Sequence, residues 1–131
     1  MKLLLDTRIW LWAVLDSSRL SPTVLAALRS PDNELWLSPV SVWEAMLLVE
    51  RGRITVQGTP AEWVERMVAA IPRREAALTH DMAITSRGLA LAHQDPADQF
   101  IAATARVLGL TLVTADERLM SSREYKVLAN G

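Results

Sequence analysis

Lys2-Leu3-Leu4-Leu5 is an apolar run with no polar residue between its leucines, and it stops at Asp6-Thr7. Such a run has the pattern of a strand covered on both faces in a parallel sheet, and parallel strands must be joined by crossover segments, usually helices. The chain supplies them. Arg8 to Leu15 is apolar at almost every position and ends at Asp16-Ser17-Ser18, a buried helix followed by a turn. Ser21-Pro22 opens another helix, with Ser as N-cap and Pro at the first helical position. Leu35-Trp36-Leu37 predicts a second strand, and the helix after it carries Trp43, Met46, Leu47 and Val49, with Ser41 and Glu44 spaced as a capping box. A helix over 60–71, a strand at Ala76-Ala77-Leu78-Thr79 and a helix from Asp81 to Leu91 follow. Asp95-Pro96 then opens a longer helix that Gly109 is placed to end, leading into the β-branched run Leu110 to Thr114. A short helical turn after Asp116-Glu117 and a last strand at Tyr125 to Leu128 complete the reading. Strands alternating with helices predict an α/β fold, a parallel sheet with helices on both faces, in one domain over 1–131.

Composition removes several classes of chemistry. The chain has no cysteine, which excludes a disulfide scaffold, a thiolate zinc site and a cysteine nucleophile, and its two histidines leave little for an imidazole site. Lys and Arg number 14 against 15 Asp and Glu, so no whole-molecule basic field recruits nucleic acid and any such contact needs a local patch. Asp6 and Arg8 interrupt the first apolar run too early for a signal peptide, and no later run approaches the ~20 residues of a membrane span. The expectation is a soluble, cytoplasmic protein without membrane contact.

The acidic residues fall where strands end and helices begin. Asp6 follows the first strand, Glu44 follows the second by one turn, Asp95 and Asp98 start the late helix, and Asp116 and Glu117 follow the Leu110 strand. In an open parallel sheet these segments converge on the carboxyl edge, where ligands bind. Carboxylates sharing one cleft repel one another, and a divalent cation removes that penalty. Oxygen ligands without Cys select Mg²⁺ or Mn²⁺, and the natural substrate of such a site is a phosphate ester. Each acid also has a structural reading: Ser41 with Glu44 is a capping box, Asp95-Pro96-Ala97-Asp98 is an N-terminal cap, Asp116 and Glu117 can cap, and Asp6 can cap the Arg8 helix.

Leu3-Leu4-Leu5-Asp6-Thr7, Val42-Trp43-Glu44, the block Asp95 to Ala105 and Leu112-Val113-Thr114-Ala115-Asp116 together resemble the PIN-domain ribonucleases of the VapC toxin type. The resemblance covers nearly the whole chain in order, and Asp98 to Ala105 followed by Thr114-x-Asp116 is its most specific part. It implies a PIN-like three-layer α/β/α sandwich with a mostly parallel central sheet, and an endoribonuclease cutting RNA with Mg²⁺ or Mn²⁺. Asp6 and Asp98 would be the central metal ligands, with Glu44 and Asp116 bound directly or through water. Thr7, Arg8, Asp95 and Thr114 are candidates for the surrounding shell, Arg8 by pairing with Asp6 or by holding the scissile phosphate. The family often carries His or Ser where Arg8 stands and Arg where Gln99 stands. A homodimer and a short antitoxin that wraps the toxin are the implied protein partners.

Arg51, Arg53, Arg66, Arg73 and Arg74 are candidates for the local RNA-binding rim or else a solvated face. His93 is a candidate proton donor or a loop histidine with a backbone hydrogen bond, and the five tryptophans read mostly as core. Two other functions compete. A haloacid-dehalogenase-like phosphatase would use Asp6 as nucleophile but needs a second Asp where Arg8 stands. A catalytically inactive PIN-like module would bind RNA or protein without cutting.

Overall fold

The computed structural model describes residues 1–91 and 95–131. Its centre is a five-stranded sheet in the order β3-β2-β1-β4-β5, with β1 Lys2–Leu5, β2 Glu34–Leu37, β3 Arg74–Glu75, β4 Thr111–Thr114 and β5 Lys126–Ala129. Every pairing is parallel. Among the described residues the α-helices are α1 Thr7–Leu15, α2 Pro22–Arg29, α3 Pro39–Glu50, α4 Pro60–Ala69, α5 His80–Gly88, α6 Pro96–Leu108 and α7 Glu117–Met120, with one 3₁₀ turn at Ser17–Arg19.

The alternation of side chains along β1 builds three layers. Leu3 and Leu5 point into one core with Ile9, Trp10 and Leu11 of α1, Val24 of α2 and Trp63, Val64 and Met67 of α4. Leu4 points the other way, with Leu112 of β4, into a second core against Ile101, Ala102 and Ala105 of α6 and Leu119 of α7. Both faces of the sheet are therefore buried, which is why β1 carries no polar alternation. The α/β/α sandwich expected from the sequence is the architecture found.

Two elements are displaced from expectation, and α5 ends at Gly88, short of the expected Leu91. Helix α3 begins at Pro39 and its cap is Ser38, whose hydroxyl accepts from Val40 N, so Ser41 is not the N-cap. The Ser-Pro pair decides this, because Pro preset for the first helical position starts the helix one turn early. Strand β3 lies at Arg74–Glu75 rather than over 76–79. Ala76 only extends the pairing with a bond from its N to Leu37 O, and Thr79 instead caps α5. Gly109 ends α6 as expected, in the left-handed conformation at φ 64.

Trp10 is fully buried and donates its indole N–H to Met67 O at 3.1 Å, tying α1 to α4. Trp43 is 56% exposed. Trp10→Phe, which strands the Met67 carbonyl and leaves a void, should cost about 2 kcal/mol in urea unfolding, whereas Trp43→Phe should change stability by less than about 0.5 kcal/mol. Equal effects would refute the division of the tryptophans between core and surface.

Candidate functional site

The strand order changes direction beside β1. The chain runs outward through β2 and β3, then returns to the other side of β1 for β4 and β5. That switch point opens a crevice at the carboxyl ends of β1 and β4, and Asp6 and Asp116 follow those two strands.

Asp6 is 6% exposed and caps α1. Its Oδ1 accepts from Thr7 N at 2.8 Å and its Oδ2 from the Thr114 hydroxyl at 2.8 Å. Thr114 Oγ1 also accepts from Asp116 N at 3.0 Å, so one buried threonine joins the ends of both strands. On the other side, the Thr7 hydroxyl donates to Glu44 Oε1 at 2.5 Å and lies 3.0 Å from Ser41 Oγ. Glu44 stands in the second turn of α3, brought over the crevice because that helix starts directly after β2. Asp95 caps α6 by accepting from Ala97 N at 2.9 Å and Asp98 N at 3.4 Å, and Asp98, 8% exposed, sits in the first turn of that helix. Asp116 caps α7, accepting from Arg118 N at 2.9 Å.

Asp6, Glu44, Asp95, Asp98 and Asp116 line one cavity of about 320 Å³, together with Thr7, Arg8, Trp43, Arg51 and Arg118. Burial pushes the Asp6 carboxyl up to about 6, with repulsion from Asp98 and Asp116 adding to it and the bonds from Thr114 and Thr7 opposing. Burial likewise pushes Glu44 up to about 7, against the bond from Thr7 and with repulsion from Asp98, Asp6 and Asp95. The carboxylates thus sense one another as a single cluster. Among the described residues no three of them close on one point as a ready-made cage. The donor set itself, hard oxygens with raised proton affinity and no sulfur, suits a hard divalent cation.

The structure brings together all four principal acids and all four neighbours named from sequence. Thr7 and Thr114 hold Glu44 and Asp6 directly. Asp95 is a helix cap on the cavity wall. Arg8 is exposed on the rim, and among the described residues no ion pair joins it to Asp6. Of the five arginines considered for an RNA rim, Arg51 alone lines this cavity. Arg66 donates to Gln57 O, Arg74 pairs with Glu34 at 3.2 Å, and Arg73 and Arg74 line a separate cleft by β2 and β3. His93 lies outside the described residues. Gln99 is buried, with Arg87 reaching its Oε1 at 3.5 Å. Sequence reasoning missed Arg118, whose guanidinium grips Asp116 through Nε–Oδ1 at 3.1 Å and Nη2–Oδ2 at 2.9 Å. Its signal was the Asp-x-Arg spacing at a helix start, where the third residue can fold back over the cap.

Residues 3–123 match the family model described as PIN domain. The chain is 33% identical to Ribonuclease VapC22 of Mycobacterium tuberculosis over 121 residues, covering 92% of this chain and 91% of that one. Solved structures with a similar fold include VapBC2 from Rickettsia felis bound to a promoter DNA fragment, at TM-score 0.70 and 16% identity, and VapBC-1 from nontypeable Haemophilus influenzae, at TM-score 0.65 and 13% identity. Each of these matches covers 98% of both chains. Its sheet order, its acidic crevice and these matches make the chain a member of the PIN-domain family.

Proposed function

We propose that this chain is a metal-dependent endoribonuclease, the toxin of a toxin–antitoxin pair, acting as one PIN domain over residues 1–131. The observation that carries the reading is the convergence of Asp6, Glu44, Asp98 and Asp116 on one cavity at the switch point of the sheet. The relative named a ribonuclease, 33% identical across nearly the whole chain, supports it.

Asp6 and Asp98 are assigned as the central metal ligands, with Glu44 and Asp116 alongside, directly or through water. When bound, Mg²⁺ or Mn²⁺ would supply the positive charge that lets the carboxylates and a phosphodiester share one crevice. Thr7 and Thr114 fix the orientation of Glu44 and Asp6, and in doing so keep both carboxylates facing the cavity. Asp95 orders the first turn of α6, and with it Asp98. Arg8 and Arg51, exposed on the rim, suit the phosphates on either side of the cleaved bond, a local basic contact consistent with a net charge of −1. An antitoxin protein and a second copy of this chain belong to the same reading. The neighbours of similar fold include VapBC assemblies, and we extend that partner class to this chain.

Purified, antitoxin-free protein should cut bacterial RNA into discrete fragments with Mn²⁺ or Mg²⁺, and EDTA should abolish the cutting. Asp6→Asn and Asp98→Asn should each lower the rate by about 10²-fold or more. Thr114→Val, which leaves all four acids in place, should lower it by about 10- to 100-fold. Folded protein that binds Mn²⁺ yet cuts none of several RNA pools would replace this reading with that of a binding module.

The raised carboxyl of Asp6 has a second consequence. Its folded-state pKa is about 6 against an ordinary 3.8, so the folded state holds the proton more tightly and metal-free stability falls as pH rises through that window. At pH 8 the ionised group should cost about 2–3 kcal/mol. Asp6→Asn should therefore raise the melting temperature of the metal-free protein at pH 8, with the gain shrinking towards pH 4. A gain of equal size at both pH values, or none at pH 8, would show that Asp6 carries no such strain.

A further inference from the structure

We propose that Arg118 is a built-in counter-cation that holds Asp116 until a divalent ion takes the carboxylate over. The inference rests on the metal reading above and concerns how that site is kept when no ion is bound. Three hydrogen bonds run from this one residue to the Asp116 carboxylate: Arg118 N and Nε both donate to Oδ1, at 2.9 and 3.1 Å, and Nη2 donates to Oδ2 at 2.9 Å. Oδ1 has two lone pairs, and these two donors use both. Direct ligation through Oδ1 therefore competes with the guanidinium for the same electrons, and Nη2 takes one of the two lone pairs of Oδ2.

Arg118 is suited to yield. Its side chain is 56% exposed while that of Asp116 is 19% exposed, so the guanidinium exchanges its carboxylate for water at little desolvation cost. The backbone bond from Arg118 N remains when the side chain leaves, which keeps the α7 cap intact. Arg118 lines the same cavity as Asp6, Glu44, Asp95 and Asp98, so this is a pair at the acidic cluster rather than a remote surface pair. Arg8 and Arg51 line the same cavity, yet among the described residues neither makes an ion pair there. Arg118 is a positioning residue, acting on the site through Asp116.

The test is Mn²⁺ affinity, read by calorimetry and by electron paramagnetic resonance of free Mn²⁺, without reference to cleavage. Arg118→Ala should bind Mn²⁺ about two- to five-fold more tightly than the wild-type chain, the scale of an exposed ion pair. Arg118→Lys, which keeps the charge but loses the fork, should fall between them. In an Asp116→Asn background the Arg118→Ala gain should vanish, since the competition is for that carboxylate. Unchanged or weaker binding by Arg118→Ala would overturn the inference, and so would a gain that persists with Asp116→Asn, which would mark a general charge effect. Should Arg118→Ala fail to fold, the comparison of Arg118→Lys with wild type decides alone. A wild-type chain that binds no Mn²⁺ would overturn the metal reading as well, whereas wild-type binding with no gain on substitution removes only the role of Arg118.

Discussion

The hydrogen bond from the Thr114 hydroxyl to Asp6 is the contact on which the rest of the site depends. β1 is buried on both faces, so the first polar side chain after it emerges at the carboxyl edge with little access to water. A carboxylate there must be met by donors, and Thr114 on the neighbouring strand supplies one while the first backbone N–H of α1 supplies another. Because Thr114 also accepts from Asp116 N, the same hydroxyl sets the distance between the acids that follow β1 and β4. Sheet register and site geometry are consequently one constraint.

The carboxylates that cap helices and those that line the cavity are in part the same residues. Asp6, Asp95 and Asp116 each cap a helix, and each lines the acidic cavity. A cap commits part of a carboxylate to backbone N–H groups and leaves the rest of its lone pairs for the crevice. The helix N-termini also offset some of the negative charge that the cluster gathers. A capping role at Asp6, Asp95 or Asp116 therefore does not exclude a place on the cavity wall.

Much of this was legible in the sequence for physical reasons. Leu3-Leu4-Leu5-Asp6 states a doubly covered strand with a carboxylate at its end, and the repeated placement of acids after strands states a shared edge. The order β3-β2-β1-β4-β5 was not legible, because pairing between strands distant in sequence leaves no local pattern. β3 was displaced because two exposed residues, Arg74 and Glu75, pair at an edge while the more apolar Ala76 and Leu78 beside them do not form the strand. Ser41 has the spacing of a cap, but Ser38-Pro39 is the stronger start signal, and Ser41 lies buried beside Thr7. For Arg118 the Asp-x-Arg spacing permits the fork, but whether the side chain folds back along its own helix start is set by the tertiary geometry of the cavity wall.

The acids are held in place by different means, and the differences sort them. Asp6 is buried and Glu44 half-buried, and both receive neutral hydroxyl donors, which orient a carboxylate without neutralising it. Burial raises their proton affinities against the pull of those bonds, and they are the groups with most to gain from a cation. Asp116, nearer the surface, receives a full positive charge from Arg118. A neutral donor can remain while a carboxylate ligates a metal, because it competes for one lone pair only. At Asp116 the guanidinium and the Arg118 backbone N–H together fill Oδ1, so ligation through that oxygen needs the guanidinium to withdraw. On the proposed metal reading, the pair held by threonines is the fixed part of the site and the acid held by arginine the exchangeable part.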